Sequence, residues 1–144
     1  MKTFISTLLF FLVCISGNAQ VKMLSAQTVS VENEKTFNYV VLTKNLEQLP
    51  SIFMTAKTLA GKEKEFGQFD LVIYGDAVKD IKPTEIEEMI KNAGDHKVNL
   101  LICGYSLKAF KVDSSPFEDT VKIIDNAVLH DLQMQNKGFL SLTL

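Results

Sequence analysis

The residue with the widest chemical reach in this sequence is Cys103. It closes the run Val98-Asn99-Leu100-Leu101-Ile102-Cys103 and is followed by Gly104 and Tyr105. All but one residue of that run is apolar, which fits a strand buried on both faces in a parallel sheet. In open α/β sheets ligands bind at the carboxyl ends of strands, so a thiol followed by glycine and a new helix stands at the chemically useful edge. A helix over residues 105–110 would direct free amides and a positive dipole end at the sulfur and favour its thiolate. The competing reading is a small buried hydrophobe, the commonest role of an unpaired cysteine. A second edge of this kind lies at Gly75-Asp76, after the apolar run 69–74. Gly75 permits a sharp turn or a close backbone approach, and Asp76 either borders the crevice or makes the turn. Gly75, Asp76, Gly104, Tyr105 and Lys108 are therefore the expected crevice residues around Cys103.

The remaining titratable groups offer less. His96 falls at the amino end of the Cys103 strand, away from the crevice, and His130 sits beside Asp131 on a helix, where a polar surface pair is the expected arrangement. Glu85, Glu87 and Glu88 fall near a helix amino terminus, where the dipole favours negative charge, and read as a solvated face. There is no G-x-G-x-x-G after a strand, no P-loop, no G-x-S-x-G and no H-E-x-x-H. Two histidines and a cysteine at wide spacing make no metal site, and no cofactor is expected.

The elements that position the thiol begin after an address. Lys2, an apolar stretch over residues 4–15 and Gly17-Asn18-Ala19 read as a signal peptide cleaved after Ala19. The apolar stretch is shorter than the ~20 residues of a spanning helix, so no membrane anchor is expected once it is removed. Lipidation of Cys14 is the alternative, although Leu12 and Val13 stand where a lipoprotein signal carries small residues. Cleavage leaves 125 of the 144 residues, one domain, with 14 basic against 17 acidic side chains. Nucleic acid is an unfavourable partner for that balance. Every basic residue is Lys, so the planar fork that grips phosphate is missing and phosphoryl chemistry is disfavoured. Cys103 is the one thiol of the mature chain, which excludes an internal disulfide.

Residues 20–36 read as a lead-in with a short strand near 28–31, and the domain occupies 37–144. Strands are expected at 37–42, 69–74, 98–103, 121–124 and 139–144, the last with Leu140, Leu142 and Leu144 alternating with polar residues. Between them, apolar spacing predicts a helix from Leu46 to Ala60, with Pro50 in an early turn and Gly61 at its end. Another opens at Pro83, places Ile86, Met89, Ile90 and Ala93 on one face and stops at Gly94. A helix carrying Ala127, Val128, Leu132 and Met134 ends at Gly138. Strands alternating with helices define a three-layer α/β/α domain around a mostly parallel five-stranded sheet.

From Phe37 onward the chain resembles the DsrE/DsrF-like family. The likeness rests on the order and spacing of the opening strand, the long helix, Leu71-Val72-Ile73-Tyr74-Gly75, residues 98–107 with the strand-end Cys, and Ala127-Val128 leading to residues 133–139. In sulfur-relay members a cysteine at the place of Cys103 carries sulfur as a persulfide within cytoplasmic homo- or hetero-oligomers. The resemblance thus implies a sulfur-carrier role for Cys103, a homo-oligomer, trimer or hexamer, and a sulfur donor or acceptor protein as partner. The chain departs from the relay pattern in carrying an export signal, which implies a periplasmic or secreted location. It also has no Arg after the Cys, where Lys108 and Lys111 are the nearest cations. The alternative is a non-catalytic oligomeric or ligand-binding module in which Cys103 is structural. Thiol exchange with a partner is a third option, made difficult by the absence of a second, resolving cysteine.

Overall fold

The computed structural model describes residues 36–93 and 97–144. The expected signal peptide, Cys14, the lead-in strand, Gly94 and His96 lie outside those residues. The strands are β1 (Phe37–Thr43), β2 (Phe66–Ile73), β3 (Val98–Cys103), β4 (Lys122–Ile124) and β5 (Leu140–Thr143). The helices are α1 (Leu49–Lys62), α2 (Pro83–Ala93), α3 (Gly104–Phe110) and α4 (Ala127–Asn136). The sheet runs β4-β3-β2-β1-β5 and, among the described residues, every pairing is parallel, so the expected α/β architecture is present.

Side-chain alternation along the strands divides the core in two. On one face Val41, Leu71, Ile73, Leu100 and Ile102 meet Leu49, Ile52 and Ala56 of α1, Ile86 of α2 and Leu107 of α3. On the other, Val40, Leu42, Val72, Leu101 and Cys103 meet Ala127 and Met134 of α4, with Phe139 packed against them. Among the described residues, three connections therefore share one face, and one ten-residue helix serves the other. It is the helix that returns the chain from the β4 edge to β5, across the sheet.

Several boundaries differ from expectation for local reasons. A 3-10 turn at Leu46–Gln48, capped by the Asn45 side chain, precedes α1, and Pro50 lies in the first turn of α1 as expected. Gly61 does not end that helix. A Cβ there would meet nothing within 4 Å, and the stop comes two residues later, where Glu63 turns extended at φ −103°. Buried Phe66 starts β2 three residues early by pairing with Phe37. Tyr74 leaves the strand, and residues Gly75–Lys79 form a 3-10 turn that no sequence signal marked. The last strand is more open than its alternation suggested, with all four residues of β5 exposed. Val128, Leu129 and Leu132 of α4 are at least half exposed as well.

Candidate functional site

The carboxyl edge of the sheet brings the Gly75 turn and the start of α3 together. Gly75 adopts φ +69°, the left-handed region that favours glycine, and its N–H donates to Ser106 Oγ at 2.9 Å. Gly104 lets β3 approach β4 closely, since a Cβ there would lie 3.0 Å from the Ile124 carbonyl oxygen and 3.2 Å from Ile123 Cγ2. The Tyr105 N–H donates to the Asp125 carbonyl at 2.9 Å, while its side chain projects outward with the residue 65% exposed. Asp76 is exposed in the first turn of the 3-10 segment, and Lys108 is exposed in the last turn of α3. The crevice residues named from the sequence thus frame the strand ends, but only the glycines, with Tyr105 through its backbone, hold elements together.

Cys103 sits at the centre of this edge with 2% of its surface exposed. Its sulfur does not meet the helix that follows it. Leu100 and Ile102 face Leu107 of α3, so alternation turns Leu101 and Cys103 to the opposite face, toward α4. There Cys103 Sγ accepts the N–H of Ala127 at 3.3 Å. The next two amides of α4, from Val128 and Leu129, donate to Asn126 Oδ1 at 2.9 and 3.1 Å. The first turn of α4 is therefore capped jointly by Asn126 and the cysteine sulfur. The helix whose amino end meets the sulfur is therefore α4, in place of the α3 expected from the sequence.

A second cluster was not foreseen. His130 does not pair with Asp131, whose carboxylate accepts from Gln135 Nε2 and Ser141 Oγ. Its Nε2 lies 2.9 Å from Oδ2 of Asp70, in the middle of β2. Asp70 is 2% exposed, and its Oδ1 accepts from Gln68 Nε2 at 2.6 Å and Asn99 Nδ2 at 2.9 Å. These side chains share the face covered by α4, on the amino-terminal side of the apolar residues around Cys103. The signal was present in the strands, where Gln68, Asp70 and Val72 alternate, as do Asn99, Leu101 and Cys103. A groove of about 560 Å³ opens beside this cluster, lined among others by Asp70, Asn99, Lys122, His130 and Lys137. Among the described residues no group of three or more His, Cys, Asp or Glu side chains is placed to hold a metal, and no helix is long and apolar enough to cross a membrane.

Fold and site together define a small α/β domain with one parallel sheet and a buried thiol at the carboxyl end of its third strand. The chain belongs to the DsrE/DsrF-like family, whose model matches residues 37–142. Among solved structures it is similar to MTH1491 from Methanobacterium thermoautotrophicum, a protein of unknown function, with a TM-score of 0.64, 14% identity and coverage of 75% of this chain and 99% of that one. It is also similar to BT1422 from Bacteroides thetaiotaomicron, a conserved protein of unknown function, with a TM-score of 0.55, 17% identity and coverage of 74% and 94%. At these identities the likeness is one of fold. No curated protein matches the chain.

Proposed function

We propose that this protein is an exported, self-associating member of its family in which Cys103 accepts sulfane sulfur as a persulfide. The observation that carries the reading is the sulfur's place at the head of α4, where it takes the Ala127 N–H at 3.3 Å. In the step, the Cys103 thiolate attacks the outer sulfur of a donor persulfide R–S–SH. A new S–S bond forms on Cys103, the donor's S–S bond breaks, and RS⁻ leaves with the electron pair; the proton stays on the transferred sulfur and nothing is oxidised or reduced overall. The Ala127 amide holds the attacking sulfur beforehand and is free to follow it once charge has moved to the outer atom. Burial restricts the donor to a small polysulfide, or to a partner that displaces the first turn of α4. Tyr105, exposed beside the sulfur-bearing strand end, offers such a partner an aromatic contact. Self-association is supported by the half-exposed Leu140 and Leu142 of β5, an edge strand whose outer side has no neighbour among the described residues.

The test is intact mass after a limiting dose of polysulfide, with folded and denatured protein side by side and Cys103→Ser as control. Faster addition of sulfur to the folded protein, lost in the Ser variant, is the expected result. The same masses report whether the chain expressed with its leader loses residues 1–19, and light scattering reports the oligomer. A second reading is favoured by burial: at 2% exposure among apolar side chains, Cys103 serves as core and helix cap in a non-catalytic binding module. Equal or slower labelling of the folded protein selects that reading.

A further inference from the structure

The Asp70–His130 cluster has a cost that the sheet does not require. Asp70 is a carboxylate 2% exposed in the middle of a central strand, where an apolar side chain would pack without desolvating a charge. Three donors compensate it: Gln68 Nε2, Asn99 Nδ2 and His130 Nε2, at 2.6, 2.9 and 2.9 Å. An ionised carboxylate only accepts hydrogen bonds, so His130 must carry its proton on Nε2 in this contact. In the neutral ring Nδ1 is then the acceptor, and it has no protein partner among the described residues. This is the arrangement in which a carboxylate fixes an imidazole's tautomer and orientation and leaves the far nitrogen for another molecule. His130 is among the residues lining both the 560 Å³ groove and a smaller cavity of about 260 Å³ at the head of α4. Among the described residues Asp70 is the one acidic side chain lining the larger groove, and both of its oxygens are engaged by its three donors. Two ammonium groups, Lys122 and Lys137, line the same groove, and neither has an ion-pair or hydrogen-bond partner among the described residues.

We propose that this groove is a binding site for a small hydroxycarboxylate, its carboxylate held by Lys122 and Lys137 and its hydroxyl donating to Nδ1 of His130. The site is independent of Cys103 and of the sulfur chemistry proposed for it. Unpaired lysines supply the charge preference, and the Asp70-fixed ring supplies the preference for a hydroxyl.

Titration of the isotope-labelled protein with malate, followed by amide and imidazole resonances, tests the proposal, with succinate as the probe lacking the hydroxyl and sulfate as a plain anion. Malate is expected to shift the side-chain amide signals of Gln68 and Asn99 and the ring signals of His130, and to bind about tenfold more tightly than succinate, the weight of one good hydrogen bond to a fixed partner. The double variant Lys122→Ala/Lys137→Ala changes two exposed residues and keeps the fold; it is expected to lose at least tenfold in malate affinity. His130→Gln is expected to abolish the distinction between malate and succinate. No shifts at ~10 mM malate, where a weak specific site is still occupied, overturn the proposal. So do unchanged affinity in the lysine variant and equal binding of malate, succinate and sulfate by the unaltered protein.

Discussion

Replacing Cys103 by Ala removes one sulfur atom and separates two roles that the geometry assigns to it. As a packed group, the thiol is worth about the transfer of one methylene, ~0.8 kcal/mol. The cavity left, ~20 Å³, adds ~0.5 kcal/mol at ~24 cal/mol per Å³. As a cap, sulfur accepts the Ala127 N–H in a place where Ala127 is 2% exposed and water does not substitute. Orphaning a buried donor costs ~1–3 kcal/mol, so the capping contribution outweighs the packing one and the total is about 2–4 kcal/mol. Cys103→Ser separates them. Serine keeps an acceptor for Ala127 while placing a hydroxyl against Val40, Leu42, Val72 and Leu101, at a cost of ~1–2 kcal/mol. The expected ranking is wild type, then Ser, then Ala. Urea denaturation followed by circular dichroism under reducing conditions measures it, with the Ala midpoint ~1–2 M below wild type at slopes of ~1–3 kcal/mol per M. A loss under ~1 kcal/mol for Ala, or a Ser variant weaker than Ala, refutes the capping role and leaves sulfur as a hydrophobe only.

Gly104→Ala drives a Cβ to within 3.0 Å of the Ile124 carbonyl, a backbone atom that cannot swing aside. A loss of ~1–3 kcal/mol in urea denaturation is expected, and wild-type stability would show that β3 and β4 have room to part. Asn126→Ala removes the acceptor of two α4 amides and is expected to cost ~1 kcal/mol, and to raise the alkylation rate of Cys103 in the folded protein by loosening the turn above it. Tyr39 donates to Glu63 Oε2 at 3.1 Å; burial first, then the hydrogen bond and charge of Glu63, raise its pKa above the ordinary 10.0. The fold holds the protonated phenol, so its contribution to stability is complete below about pH 10 and is lost as pH rises through the higher folded value. Urea midpoints at pH 9 and 11 are expected to fall more steeply for wild type than for Tyr39→Phe.

The strand pattern was legible because parallel strands buried on both faces appear as short apolar runs, and residues 37–42, 98–103 and 121–124 do so within a residue of their observed ends. Partners were harder to read. The period-two alternation of β3 already put Cys103 on the face opposite Ile102, but which face α3 covers is set by the chain's crossover, and proximity in sequence favoured α3 as the helix at the sulfur. His130 and Asp70 are sixty residues apart and meet only because α4 recrosses the sheet, a consequence of the strand order β4-β3-β2-β1-β5 that no local signal fixes. Gly61 looked like a helix stop because glycine commonly ends helices, but it tolerates helical geometry too, and the β2 register decided the boundary.

The same strand order sets a timetable for synthesis. β1 is held on one side by β2 and on the other by β5, with Tyr39 opposite Phe69 and also opposite Leu140. For the exported chain proposed above, the first neighbour follows soon after β1 emerges across the membrane; the second emerges about a hundred residues later, ~5–20 s where export keeps pace with elongation. Throughout that interval one row of β1 backbone amides and carbonyls is an open template beside Val40 and Leu42, side chains that end up buried. Slower translation lengthens the exposure and a chaperone on the nascent edge shortens it, so the yield of folded protein depends on how quickly the final strand arrives.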